Sequence, residues 1–255
     1  MSHFSVLAVV PAEELTEDFA ASASSSLLQR MLPYCELTDD PAFLIFEPDP
    51  DGPDENESGE PGCFFNPNAQ WDWYEIGGRW SGELFVPETV PDYLHAEGAL
   101  REPERSIETI CNGLRRVSGA RMRDICWDVL RNQTRAELTK SYALWQKVFA
   151  GEADPPCTTH LEKDGLLNLS GALLLARGEP LEAYLTRMGT GKTDRTLPPA
   201  AAFLDRDGEW HGREDCCFLA AGTPDGKRNA WRAECLALLD ALQPDDALIV
   251  VDCHI

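Results

Sequence analysis

Apolar runs at the two ends of the chain have the composition of β-strands. Residues His3–Val10 (HFSVLAVV) are rich in β-branched and aromatic side chains and end at Pro11. The last nine residues, 247–255 (ALIVVDCHI), have an apolar core typical of a central strand. A third short run, 42–46 (AFLIF), lies between prolines and predicts another strand. Because buried strands need a common sheet, we expect the two terminal strands to lie together.

Apolar side chains at helical spacing predict four helical segments. A short helix is expected over 26–32 and another over 181–188. Residues 121–149 predict either one long helix or two helices separated near Asn132, and Gly151 marks the end. The last helix is expected over 229–242, before Pro244.

Glycine pairs and an Asp-Gly step mark turns between shorter strands. Residues 200–204 and 209–211 flank Asp205-Arg206-Asp207-Gly208 and predict a hairpin. Residues 71–86 predict two short strands around Gly77-Gly78, and 216–221 predict one more strand. The fold class expected is therefore α+β, in one elaborated domain over 1–255, with a ferredoxin-like mixed or antiparallel sheet, packed helices and insertions.

The net charge of the chain limits the kinds of molecule that the protein is expected to bind. The formal net charge is -22, so the chain repels nucleic acid and direct nucleic-acid binding is not expected. Residues 47–62 carry seven acids and almost no apolar side chain, which predicts a mobile acidic loop. No apolar run reaches membrane-spanning length and no basic leader is present, so we expect a cytoplasmic protein with no membrane contact. The nine cysteines include no CxxC pair, which favours packed, reduced thiols.

The C-terminal strand carries the first candidate site. Asp252 and His254 are two residues apart on a strand and therefore project from one face, whereas Cys253 projects from the other. We expect Asp252 and His254 to act in catalysis through proton transfer, or with His3 to bind a divalent metal as a cofactor. The alternative is purely structural: a buried hydrogen bond in which Asp252 fixes the tautomer of His254.

The segment WDWYEIGGRWSG, residues 71–82, is the second candidate site. Paired glycines allow the backbone to approach a ligand, and the arginine offers a planar fork to a phosphate or carboxylate. In the alternative, the tryptophans are core anchors and the arginine pairs with an acid such as Asp72. The candidate ligand-binding residues are Arg79, Tyr74, Asp72, Gly77, Gly78 and Trp80.

Other motifs carry less weight. The segment Gly189-Thr190-Gly191-Lys192-Thr193 lacks the leading glycine of a phosphate-binding loop, because Thr186 stands in its place. His95, His160 and His211 show no metal-like spacing.

Several of these segments together resemble a family of uncharacterised proteins of tailed bacteriophages and prophage-like elements. They are Ser2-His3-Phe4 with Val6-Leu7, the block NPNA (66–69), WDWY (71–74) with IGGRW (76–80), the Gly208–Trp210 turn and the ending VVDCHI (250–255). The chain departs from the family where Asp124-Ile125-Cys126 replaces an Asp-Ile-Asp step and where 212–217 (GREDCC) replace a Gly-Glu-Met-Gly-Trp segment. The resemblance implies that the Gly-Gly-Arg block and the Asp-Cys-His ending are parts of the same structural or functional unit.

Two classes of function are open at this point, beside a third possibility in which the protein is a scaffold and its tryptophans and terminal Asp/His pair are all structural. In the first, the protein is a mobile-element accessory protein whose pocket takes an anionic small molecule, phosphorylated or carboxylated, with or without metal assistance. In the second, it is an acidic, non-catalytic inhibitor of a basic host protein, such as a defence or nucleic-acid-binding protein. The first requires Arg79 and His254 to share a pocket.

Overall fold

The computed structural model describes residues 3–95, 113–155, 159–161, 163, 165–168, 173–188, 200–212 and 225–255. The helices there are α1 (Phe19–Met31), α2 (Trp127–Ala150), α3 (Leu181–Arg187) and α4 (Asp225–Ala241). The strands are β1 (His3–Val10), β2 (Ile45–Pro48), β3 (Asp54–Glu55), β4 (Pro61–Phe65), β5 (Trp73–Ile76), β6 (Leu84–Pro87), β7 (Tyr93–Leu94), β8 (Leu114–Val117), β9 (Gly119–Arg121), β10 (Thr159–Leu161), β11 (Gly165–Asn168), β12 (Leu173–Ala176), β13 (Ala202–Leu204), β14 (Trp210–Gly212) and β15 (Ala247–His254).

The terminal strands are neighbours in the main sheet, as the sequence predicts. The strand order is β14-β13-β1-β15-β9-β7, and β5 also pairs with β15. β1 and β15 are antiparallel along their whole length, with His3 opposite His254 and Val10 opposite Ala247. β1 is parallel to β13, so the sheet is mixed. Helices and a mixed sheet confirm the α+β class.

Each face of this sheet packs against a different helix. On one face, Leu7 and Val250 pack with Trp231 and Leu239 of α4, and we call it the α4 face. On the opposite face, residues such as Val6 pack with α1, and we call it the α1 face. The central residues of β1 and β15 are fully buried on both faces, so both terminal strands lie in the core. With the intervening segments set aside, the chain order β1-α1-β13-β14-α4-β15 is βαββαβ. The expected ferredoxin-like arrangement is nevertheless not formed, because β13 rather than β14 lies next to β1 and the two helices cover opposite faces.

The helices agree with the sequence pattern, with two adjustments. The first helix begins at Phe19 rather than near residue 26, because the Asp18 side chain accepts a hydrogen bond from the Ala21 amide and caps it. Residues Trp127–Ala150 form a single helix with no break at Asn132, and Gly151, at φ 71°, ends it. The helix at 181–188 and the C-terminal helix are confirmed. The strand predicted over 216–221 lies outside the described residues.

Two strand predictions need correction. The segment 71–86 does contain two strands, but they do not pair with each other: β5 joins β15 and β6 joins β8. Residues 47–62, predicted to be a loop, contribute to a small sheet of order β2-β4-β3. Backbone hydrogen bonds between Ile45–Pro48 and Pro61–Phe65 hold these strands together. The acidic composition of 47–62 does not predict this pairing.

Among the described helices, none combines the length and apolarity needed to cross a membrane.

Candidate functional site

A polar cluster occupies one end of the α4 face. Along β1 and β15 the side chains on this face change from Leu7 and Val250 in the core to His3, Asp252 and His254 at the end. Residues that pair across antiparallel strands project from the same face, so register places the three polar side chains together. Cys253 lies in the core of the α1 face, as alternation predicts.

Asp252 binds two donors from distant parts of the chain. Nδ1 of His3 lies 2.9 Å from Oδ1 of Asp252, and the backbone N–H of Arg79 donates to Oδ2 at 2.9 Å. The Asp252 side chain is only 2% exposed, so these bonds replace water around a buried carboxylate. Because an ionised carboxylate only accepts, the proton shared with His3 belongs to the imidazole.

Asp72, rather than Asp252, holds His254. Nδ1 of His254 lies 2.7 Å from Oδ1 of Asp72, and the Asp72 amide also donates to the His254 carbonyl oxygen at 3.0 Å. The expectation that Asp252 fixes the His254 tautomer is therefore wrong. The two residues share a face, but Asp252 is occupied by His3 and the Arg79 amide.

The two imidazole rings meet edge to face. Their centroids are 5.1 Å apart and their planes are inclined by 76°. With Nδ1 of each ring directed to a carboxylate, Nε2 of each ring remains for other chemistry. Nε2 of His254 is buried and has no hydrogen-bond partner within the part of the chain that is described. A buried imidazole nitrogen without a partner is costly, so this atom fits a site that receives a ligand or water.

The paired glycines let the backbone approach the cluster. Gly77 and Gly78 have φ angles of 77° and 48°, which side-chain-bearing residues rarely adopt. A Cβ on Gly78 would lie 2.4 Å from Cβ of Asp252, and one on Gly77 would lie 2.2 Å from Oγ of Ser118. This close approach brings the backbone amide of Arg79 to Asp252, and the amide donates its hydrogen bond to that carboxylate rather than to a ligand.

The remaining candidates of this block lie in different places. The Arg79 side chain is exposed, and no ion pair joins it to Asp72 or to another described residue. Trp80 is half-buried against the α4-face core. Tyr74 lies on the α1 face, where its ring meets Trp71 at 5.0 Å, and burial raises the pKa of its hydroxyl. The sheet therefore separates the Tyr74 ring from the two histidines.

Trp73, which is not among the candidates, lies at the edge of the cluster. It pairs with His254 across β5 and β15, and its ring centroid lies 6.5 Å from that of His3. The side chain is half exposed, so an aromatic surface borders the two histidines. Alternation along β5 could have identified it, because Trp73 and Tyr74 must project from opposite faces.

The cysteines of the described ranges fit a packing role. Cys35, Cys63, Cys126, Cys235 and Cys253 are free. Burial raises the pKa of Cys35 and Cys126, and raises that of Cys253 well above the usual value. Those three side chains are therefore neutral thiols at neutral pH and poor nucleophiles.

One group of metal-ligating side chains lies outside the sites predicted from the sequence. Ligand atoms of Asp205, Glu209 and His211 all lie within 4.8 Å of one another. Its spacing in the sequence does not mark His211 as a metal ligand, whereas the hairpin folds an Asp-x₃-Glu-x-His segment onto itself. No such group of three comprises His3, Asp252 and His254 in the described structure.

Comparison with protein-family models found no match to this chain, and searches of curated proteins and of solved structures found none either.

Proposed function

We propose that this protein is an accessory protein of phages and related mobile elements that binds an anionic small molecule at the twin histidine cluster formed by His3, His254, Asp252 and Asp72. The observation that carries the proposal is Nε2 of His254, which is buried and has no hydrogen-bond partner among the described residues, next to a second imidazole that is held in the same manner. Nitrogens directed in this way bind polar ligands and transfer protons.

Each residue has a specific role in this proposal. Asp252 and Asp72 orient the imidazoles through Nδ1 and favour protonation there. His3 and His254 then present Nε2 to a phosphate or carboxylate, one ring accepting a proton as the other donates one. The backbone amide of Arg79 is bound to Asp252 and its side chain is exposed, and in this proposal the guanidinium supplies a positive charge to the anion, while Trp73 offers an aromatic face.

Histidine resonances provide a direct test, because the chain has only five histidines. Ring Cε1–H signals would be assigned with single substitutions and followed during titration with nucleoside monophosphates, sugar phosphates and dicarboxylates. We expect one class to shift the His3 and His254 signals and leave that of the exposed His95 unchanged. If every compound leaves the first two signals in place, or shifts all signals equally, the proposal fails.

A second function is favoured by the surface of the small sheet β2-β4-β3. Ile45, Phe64 and Phe65 are exposed there at 48%, 46% and 39% beside the acidic segment 47–62. Exposed aromatic rings within a negative field suit a basic protein partner better than they suit solvent. In this alternative the protein occupies the nucleic-acid-binding surface of a host protein.

Binding assays with purified basic nucleic-acid-binding proteins of the host test this alternative. We expect salt-sensitive binding that competes with DNA. Converting the acids of 47–62 to their amides should weaken binding by at least about tenfold, since each loses its Coulombic attraction. Equal binding by the neutralised protein would remove this alternative.

A further inference from the structure

The β13–β14 hairpin brings three metal-ligating side chains to one place. Asp205 follows β13, Glu209 ends the turn and His211 lies within β14. Nε2 of His211 is 2.8 Å from Oδ2 of Asp205, and ligand atoms of all three residues lie within 4.8 Å of one another. Glu209 is exposed, so its side chain is free to close the remaining distance.

The hairpin is anchored in a way that fixes Asp205. Oδ1 of Asp205 accepts hydrogen bonds from the amides of Asp207 and Glu209, at 2.9 and 2.8 Å. Its other oxygen is the one directed to His211. Burial opposes ionisation of Asp205, but bonds from His211 and the two amides outweigh it and lower the pKa of the carboxyl. The two amides therefore hold the carboxylate in one orientation before any ligand arrives.

Side chains from α1 and the segment after it hold the turn from outside. Nη2 of Arg30 donates to the carbonyl oxygen of Asp205 at 2.8 Å, and the hydroxyl of Tyr34 donates to that of Gly208 at 2.8 Å. These bonds join the turn to α1, far away in the chain. A tight turn that is held in this way keeps its ligand geometry without the metal.

A second carboxylate lies behind His211. Oε1 of Glu234, on α4, is 3.6 Å from Nδ1 of His211. When Nε2 of a histidine binds a metal, its Nδ1–H commonly faces a carboxylate, which fixes the tautomer. Glu234 occupies that position, so both ring nitrogens of His211 have the neighbours that a metal-binding histidine requires.

The one cation in the turn is already engaged elsewhere. Nε of Arg206 lies 3.3 Å from Oδ2 of the fully buried Asp246, and its Nη2 lies 2.6 Å from Glu13. Its charge is therefore neutralised by other acids, and the carboxylates of the hairpin are left for an external cation.

We propose that Asp205, Glu209 and His211 bind one divalent zinc-class ion, with Glu234 orienting His211. Imidazole nitrogen and carboxylate oxygen both bind Zn²⁺, and three protein ligands leave a fourth coordination position for water. The proton now shared between His211 and Asp205 leaves Nε2 on binding. The site is distinct from the twin histidine cluster: Leu204, just before Asp205, pairs with Ala8, which lies about 16 Å along β1 from His3 at about 3.3 Å a residue.

Calorimetric titration of the chelator-treated protein with Zn²⁺ tests this site. We expect one tight site in the wild type, and affinity reduced at least about tenfold in Glu209→Gln and in His211→Ala. The control is His95→Ala, which removes one exposed histidine elsewhere. Glu209→Gln is isosteric and exposed, so it keeps the test valid if His211→Ala does not fold.

The outcomes separate this site from the other. Unchanged Zn²⁺ affinity in Glu209→Gln overturns the proposal, as does a wild type that takes up no Zn²⁺. Retention of Zn²⁺ by both hairpin variants with loss in His254→Leu would assign the metal to the twin histidine cluster instead and would also overturn it. The ligand titration of that cluster is performed without metal, so either proposal can fail alone.

Discussion

His254 and Asp72 are far apart in the chain, yet their side chains are joined by a 2.7 Å contact between Nδ1 and Oδ1. A second contact of the same type joins His3 to Asp252, and Asp252 also binds the amide of Arg79. The cluster therefore links the first strand, the last strand and the Gly77–Gly78 turn. Its residues contribute both to folding and to the proposed site, and substitutions can separate the two contributions.

Asp252→Ala should destabilise the fold strongly. The change leaves the Arg79 amide and the His3 imidazole without their acceptor in a site from which water is excluded. We expect the free energy of unfolding to fall by about 2–4 kcal/mol, as measured by urea denaturation. The control is Asp51→Ala in the exposed acidic segment, where a change within about 0.5 kcal/mol is expected. Equal losses in the two variants would contradict this account of Asp252.

Gly78→Ala should destabilise the fold because the structure leaves no space for the added methyl group. A methyl group there would lie 2.4 Å from Cβ of Asp252, in addition to the strain of φ 48°. We expect a loss of about 3 kcal/mol or more in unfolding free energy. Gly59→Ala is the matched control, because Gly59 has φ 71° and no atom within 4 Å of the added carbon. It should lose only the strain, about 1 kcal/mol, and a loss as large as that of Gly78→Ala would refute the steric explanation.

The sequence predicts local features of this molecule better than its long-range pairings. Strand periodicity alone places Asp252 and His254 on one face and Cys253 on the other. The apolar runs at the two ends of the chain predict that both terminal strands lie in one sheet. Periodicity does not predict that Asp72 rather than Asp252 holds His254, because that choice depends on where β5 pairs along β15. It also does not identify the metal ligands, because the hairpin register brings Asp205 and His211 together.

Cys253 should make stability depend on alkaline pH. Burial raises its pKa in the folded protein well above the ordinary 9.0, so the folded state holds the thiol proton more tightly than the unfolded chain does. The stabilisation that this neutral thiol contributes is fully present below its pKa in the unfolded chain. It is lost as the pH rises through the pKa of the thiol in the folded protein. We expect the unfolding free energy of the wild type, relative to Cys253→Ala, to decline between pH 8 and pH 10.5 by at most about 1.4 kcal/mol per pH unit. A difference that stays constant would mean that this thiol ionises freely in the fold.

His254→Leu distinguishes a ligand site from a structural lock at the C-terminus. His254 has one hydrogen-bonded nitrogen, to Asp72, whose side chain is 28% exposed and can be hydrated when the imidazole is removed. The other nitrogen, Nε2, is buried without a partner in the described structure, so removing it relieves a desolvation cost. We therefore expect the unfolding free energy to change by no more than about 1 kcal/mol, while the response of the His3 resonance to anionic ligands disappears. The variant is measured beside Asp252→Ala, which removes an acceptor with two donors. If His254→Leu is as destabilising as Asp252→Ala, the imidazole locks the terminal strand; if it is stable and the ligand response of His3 persists, His254 takes no part in binding.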